Sequence, residues 1–504
     1  MKNILKKLGI IIFVFSLQSC SDDYLDTLPT DSVGAAEAIA TTKNAWASLN
    51  GIHRTLYSQM RSTQGEGGLG GVFLVSEHLG DDLVYASTSV NTSWYSGSYR
   101  WVDHRNENSS VASYPYYYFY NIINNANLII AQIDNAVGDP AEKNAIKGQA
   151  LAYRGWAHFN LVQLYGKRYV RGAVNSQLGV PILLTSTIEG QARNTVEQVY
   201  TQINIDLDDA ATLLTGYSRP NKSHLNLNVV NGLRARVALT QGRWVDAATH
   251  AANAKTGFSL MTTSQYQGGF NDINNSEWMW GSSILDDQTM YFYSIHAYIS
   301  RNFSSSHIRT HAKVVYRDLY TKFPSTDIRR GVVATTNSTA DNYPSYMTFA
   351  GGVTYARAAG ASTKFWVKNP SSSVADIVNM RVSEMWLIEA EARARNSEDV
   401  LAQNALHSLN LIRRSDVPLK STNVNDALID EIMIHRRMEL WGEGFRFFDL
   451  KRTNAPLKRD HTGTNHLQSQ TTGLFNVPAG DIQWEFMIPR AELNANPLMV
   501  QNPS

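Results

Sequence analysis

The chain has 504 residues and a single cysteine, Cys20. One thiol excludes an intrachain disulfide framework, a thiolate zinc cluster and a CxxC redox pair. An excess of either charge is also lacking: 45 Lys and Arg stand against 44 Asp and Glu, a formal net charge of +1. A general nucleic-acid binder needs a basic surface excess, so that class is excluded. Prolines number 14, and apolar residues make up 43% of the chain. That average globular fraction supports a substantial core and excludes wholesale disorder. The length allows about two to four units of ordinary domain size, or one large fold. No GxSxG elbow, P-loop or EF-hand loop occurs. Aromatic residues are what the chain has in quantity: 24 Tyr, 17 Phe and 11 Trp.

Near the start, Lys2, Lys6 and Lys7 precede the run LGIIIFVFSL at 8–17, and LQSC closes at Cys20. A basic region, an apolar stretch and a small residue before the cut describe an export signal over residues 1–19. Ten apolar residues reach only half of the roughly 20 that a membrane-spanning helix needs. The cysteine at the cut resembles the lipobox of bacterial lipoproteins, with Gln18 departing from its commonest form. That resemblance implies acylation of Cys20 and a lipidated tether over residues 20–40; a plain secretory signal is the other reading. Lipoprotein acylation exceeds the two signals that stable anchoring takes. Ser21, Asp22 and Asp23 resemble the surface-export signals of some Gram-negative lipoproteins, implying the outer face of the outer membrane.

Beyond the tether, periodicity predicts helices. Trp46, Leu49, Ile52, Leu56 and Met60 lie on one face over 41–61, and Tyr116, Tyr120, Ile123, Ile130 and Ile133 do so over 116–133. Asp139, Pro140 and Glu142 predict an N-cap, a first-turn proline and a capping box, with Gly166 ending the helix. Over 229–254, Leu233 and Val237 belong to one helix, Gln241-Gly242-Arg243 turns, and Trp244, Ala247, Ala251 and Ala254 form another. This pair resembles a degenerate tetratricopeptide unit, and an ordinary helical hairpin fits it as well. A second helical set is predicted at 382–395, 402–414 and 427–441. Residues 277–282 and 289–295 read as two short strands able to pair.

The C-terminal half carries four ordered motifs: RVSEMWLIEAEA at 381–392, ALHSLNLIRR at 405–414, IHRRMELWGEGFRFFDLKR at 434–452, and FMIPRAELNANP at 486–497 followed by QNP at 501–503. GQALAY at 148–153, LYG at 164–166 and GVP at 179–181 precede them. In this order the chain resembles the SusD/RagB family of outer-membrane nutrient-binding lipoproteins, over nearly its whole length. His435 departs from the glutamate more usual before the arginines. The resemblance implies a mostly α-helical SusD-like fold with tetratricopeptide-type helical pairs, long loops and small β-hairpins. An N-terminal helical region would span 41–258, and a C-terminal region with ligand-binding loops 259–504. It also implies a non-enzymatic protein that binds oligosaccharides, or peptides in the RagB branch, and passes them to a SusC-like TonB-dependent transporter.

Arg436, Arg437, Glu439, Glu443, Arg446 and Asp449 stand three or four apart, where helix side chains meet, and read as a structural charge cluster. A glycosidase reading would use Glu439 and Glu443 as the acid pair. GEGGLG at 65–70 matches GxGxxG, but a helix precedes it and an apolar strand-like run follows, so it reads as a loop. His307 and His311 lack the glutamate of HExxH and a third ligand. No cofactor is indicated; a structural calcium ion needs no motif, since scattered Asp and carbonyl oxygens suffice.

Three polar stretches, 85–113, 259–306 and 334–374, are studded with Trp and Tyr. Sugar rings have apolar C–H faces and hydroxyl rims, so a binder needs flat aromatic platforms flanked by amide, hydroxyl or guanidinium groups. NTSWYSGSYRW at 91–101 fits best and nominates Asn91, Trp94, Tyr95 and Trp101. The family resemblance points to the same stretch. Tyr291, Tyr293 and Tyr298 with Arg301 and Asn302 come next, then Tyr343 and Tyr346. Local packing is the alternative for each. Trp278 and Trp280 alternate along a strand and read as core. A helical assembly protein that binds only other proteins is the remaining class.

Overall fold

A computed structural model describes residues 37–61, 64–85, 95–288, 291–300, 302–303, 313–333, 360–369, 372–416 and 418–504. Among them, eleven helices of eight or more residues carry the architecture. They are α1 (Thr42–Thr55), α2 (Gly68–Leu79), α3 (Ser110–Gln132), α4 (Pro140–Tyr165), α5 (Val196–Leu213), α6 (Leu227–Gln241), α7 (Trp244–Ala254), α8 (Val382–Arg395), α9 (Asp399–Arg413), α10 (Asn425–Leu440) and α11 (Arg446–Thr453). The strands are short: β1 (Leu83–Tyr85), β2 (Trp278–Ser282), β3 (Lys313–Val315), β4 (Ile377–Arg381), β5 (Leu457–Lys458) and β6 (Asn476–Val477). The fold is mostly α, as the sequence indicates. No helix among the described residues is long and apolar enough to cross a membrane.

Consecutive helices pack as neighbours: α3 on α4, α4 on α5, α6 on α7. The α6–α7 pair turns at Gly242, whose φ of 72° is left-handed and suits a residue without Cβ. Ala247, Ala251 and Ala254 are fully buried, so small side chains let the two helices close together. A buried ion pair ties three helices: Arg154 of α4 holds Asp206 of α5 at 2.6 and 2.9 Å and Asn127 of α3 at 3.0 Å. The helical sets meet where α8 packs on α7, with Arg236 of α6 bidentate to Glu384 of α8 at 2.7 and 2.8 Å.

Several local expectations change. Asp139 does cap α4, but its Oδ1 accepts from Ala141 and the Glu142 carboxylate takes the Trp46 indole N–H, so no reciprocal box closes. The glycine-rich run after residue 66 is not a loop leading to a strand; Gly68–Leu79 is helix α2. All of its residues but Phe73 are buried, and a helix covered on every side shows no 3.6-residue period. Residues 277–282 and 289–295 do not pair with each other. β2 pairs instead with β4, Trp278 opposite Arg381, and Tyr291–Tyr293 is a 3-10 turn. β1 likewise pairs with β3, so these two ladders are long-range contacts and not hairpins. Trp278 and Trp280 are core, fully buried.

The motif charges are structural, but their partners are not mainly one helical turn away. Glu439 receives Arg381, Arg413 and Arg329 at 2.9–3.2 Å, and Glu443 receives Arg381 and Lys364 at 2.5–2.9 Å. Asp327 and Glu277 complete the cluster, giving four cations against four carboxylates with no net buried charge. His435 lies 3.1 Å from Arg329, and burial together with that guanidinium holds its pKa well below the usual range. A neutral imidazole fits where the family usually has a carboxylate. The closing QNP motif is a stitch: Asn502 donates to the carbonyls of Tyr165 and Phe486 at 2.8 and 2.7 Å and accepts from Arg193 at 2.8 Å.

Candidate functional site

The chain leaving α1 folds back before α2, and this bend builds one wall of a cavity of about 390 Å³. Gln64, Gly65 and Glu66 line that wall, Val75 of α2 and Tyr95 another, and Ser110, Val111, Tyr114 and Pro115 of α3 the third. Ser109 caps α3 by accepting from Ala112 at 3.1 Å, which fixes the start of that wall. Pro115 has no N–H to give the Val111 carbonyl, so an acceptor at the cavity edge loses its helical partner. Gly67 is required for closeness: a Cβ there would lie 1.7 Å from the Tyr293 carbonyl oxygen.

Polar groups converge on the same place. Arg61 makes two 2.9 Å hydrogen bonds to Glu66, a third of 3.2 Å to Ser113, and stands 5.4 Å over the Tyr117 ring. Burial pushes the Glu66 carboxyl up from its ordinary range, and Arg61 pulls it back. Tyr95 donates to the Gly65 carbonyl at 3.3 Å and Tyr114 to the Gly68 carbonyl at 2.7 Å. Flat rings, an amide and a carboxylate line one hollow, with the Arg61 guanidinium on that carboxylate, and can hold a polar ring-shaped ligand in orientation.

Of the residues nominated from sequence, one lines the cavity and two lie behind its lining. Tyr95 lines the cavity, and its ring meets Tyr298 edge-on at 5.1 Å and stacks on His78 at 5.0 Å. Tyr293 sits behind Gly67. Yet Tyr95 and Tyr298 are 3% and 1% exposed, so Tyr95 is a wall and not an open platform, and Tyr298 is packing behind it. Two nominations are corrected. Trp101 is 2% exposed, donates its indole N–H to Leu79 at 3.1 Å and packs on Trp484 at 4.8 Å. The core takes it because the chain after Tyr99 turns inward, with Trp101 at φ 62°. Asn302 is also buried, its amide occupied by reciprocal bonds of 2.7 and 2.8 Å with the Val367 backbone. Tyr291 belongs to its 3-10 turn by backbone alone. Asn91, Trp94, Arg301, Tyr343, Tyr346, His307, His311 and Cys20 lie outside the described residues.

Sequence reasoning missed Arg61, Gln64, Glu66, Tyr114 and Tyr117. The tyrosine run at 114–120 was a usable signal, read only as a helix face. Glu439 and Glu443 cannot serve as a glycosidase pair as placed. Burial raises each, but the surrounding arginines, and Lys364 at Glu443, bring both below the usual range, whereas a general acid must hold a proton near neutrality. Among the described residues, no group of three or more His, Cys, Asp or Glu is placed to hold a metal ion.

Fold and cavity define a helical scaffold that gathers aromatic and polar side chains around a hollow. The chain belongs to the SusD family: the model described as "SusD family" matches residues 239–504, and one described as "Starch-binding associating with outer membrane" matches residues 72–239. Among solved structures, it is similar to a SusD-like carbohydrate binding protein from Bacteroides vulgatus ATCC 8482. That match has 26% identity and a TM-score of 0.77, covering 91% of this chain and 97% of that one. A SusD superfamily protein from Bacteroides thetaiotaomicron VPI-5482 shares the fold at 24% identity and TM-score 0.76, covering 92% and 100%. A laminarin binding SusD-like protein shares it at 19% and 0.67, covering 92% and 99%. No curated protein matches the sequence.

Proposed function

We propose that this protein is a cell-surface glycan-binding lipoprotein. Anchored to the outer membrane through acylated Cys20 and facing outward, it captures oligosaccharides or polysaccharides without cleaving them. It then delivers them to a SusC-like TonB-dependent transporter. The observation that carries the reading is a cavity lined by Tyr95, Tyr114, Gln64 and Glu66, with Arg61 paired to Glu66 and Tyr298 packed against Tyr95, in a chain of this family. The similarity to the carbohydrate binding protein from Bacteroides vulgatus and the starch-binding description support it. In this reading Trp94, with Asn91, Tyr291, Arg301, Tyr343 and Tyr346, is a candidate for the stacking surface and polar rim.

Stacking one sugar ring removes about 100 Å² of apolar surface, worth roughly 2–3 kcal/mol before ordering costs. Affinity is then on the order of micromolar to millimolar, which suits a protein that must release its cargo. The test is isothermal titration of protein lacking residues 1–20 against a panel of oligosaccharides and peptides. Heat with a glycan, reduced by Trp94→Ala, supports the reading. Heat with peptides alone replaces it by a RagB-like peptide binder, and glycan products accumulating during incubation would make the protein an enzyme.

A further inference from the structure

A second hollow lies at the other end of α1. It is an open groove of about 820 Å³ between the first turns of α1, the first turns of α4 and the chain after α5. Trp46 and Tyr217 stand in it side by side, ring centroids 6.3 Å apart and 24° from parallel. Both are half-buried, and Glu142 of α4 fixes the indole by accepting its N–H at 3.4 Å. His224 lines the groove 5.5 Å from Trp46. It is 93% buried, and its Nδ1 has no hydrogen-bond partner among the described residues. Asn50 and Asn144 stand exposed in the lining, and Arg219 donates to the His224 carbonyl at 3.0 Å.

We propose that this groove is a carbohydrate site of its own, taking one or two pyranose rings against Trp46 and Tyr217. Two near-parallel rings match the apolar faces of a sugar, and the amides of Asn50 and Asn144 and the Arg219 guanidinium match its hydroxyl rim. The volume falls within the about 300–1,000 Å³ typical of small-molecule pockets. A protein hot spot wants an apolar surround, and here the surround is amide, hydroxyl and guanidinium. The cavity at Tyr95 begins only after α1 ends, and Trp46 lies about 15 Å of helix before Leu56, so one sugar ring cannot occupy both. The groove shares with the proposed function its ligand class and none of its residues.

The test is fluorine NMR of 5-fluorotryptophan-labelled protein lacking residues 1–20, with the Trp46 resonance assigned through Trp46→Phe. Every described element lies beyond residue 36, so the truncation removes none of them. The probes are maltoheptaose, laminariheptaose, cellohexaose and xylohexaose. A saturable shift at Trp46 that persists in Trp94→Ala, and that needs about tenfold more sugar in Tyr217→Ala, establishes the groove. Glycan binding that leaves Trp46 unmoved overturns the groove while leaving the proposed function standing. A Trp46 shift that vanishes in Trp94→Ala also overturns it, because the groove then has no site of its own. No response of any resonance to any probe removes this site and the proposed function together.

Discussion

Arg437 of α10 grips Asp82 across 355 positions of sequence, Nη2 lying 2.6 Å and Nε 3.0 Å from Oδ1. Trp441 donates to the Asp82 carbonyl at 2.9 Å, and Arg446 holds the neighbouring Asp81 at 2.5 and 3.0 Å. These aspartates immediately precede β1, the strand that feeds the chain toward Tyr95. The C-terminal motif therefore clamps the chain between α2, which gives Val75 to the candidate cavity, and β1.

A double-mutant cycle of Arg437→Ala and Asp82→Asn should show coupling of about 1–3 kcal/mol, since the pair is nearly buried and bidentate. Guanidinium unfolding of the four proteins measures it; additivity within about 0.3 kcal/mol would show that the clamp is idle.

Glu439→Gln should lower unfolding free energy by about 3–5 kcal/mol, because it leaves Arg381, Arg413 and Arg329 in the core with one fewer anion. The guanidinium midpoint reads this directly, and a midpoint equal to the parent would contradict the packing role.

Acid should weaken the fold above the ordinary carboxylate range. Glu77, whose carboxyl burial pushes up to about 8, acts in the opposite sense but is one group against four histidines. Burial brings His104, His158 and His466 down to about 3 and His296 to about 4. Below about pH 6.5 the unfolded chain takes up protons on these rings while the folded chain does not, so unfolding binds protons and stability falls as pH drops. The loss begins near pH 6.5 and continues to about pH 3–4. Denaturant midpoints measured from pH 7 to 4 should fall steadily, with a shallower slope in His104→Phe; a flat profile down to pH 5 would refute it.

Trp101→Ala should behave as a core truncation, costing about 3–5 kcal/mol of stability. Protein that remains folded at low temperature should titrate glycan with unchanged affinity, because Trp101 faces Trp484, His104 and Phe447. A selective loss of affinity at full stability would restore it to the site.

Legibility followed the range of the interactions. A helix with one apolar face, such as α7, is readable to within two residues, and α6, buried on most sides, is readable through its stop at Gly242. Helix α2 was not, because burial on every side erased its period. β2 was assigned the wrong partner, since β4 arrives nearly a hundred residues later.

The sequence by itself determined the helical composition, the family motifs and the core placement of Trp278 and Trp280, all of which rest on local periodicity or on an ordered string of residues. Only the tertiary structure decided that Tyr95 lines a cavity with Tyr298 packed behind it while Trp101 and Asn302 turn into the core. The physical reason is that an aromatic side chain in a polar stretch serves equally well as platform or packing. Which it becomes depends on the surfaces that distant segments bring against it.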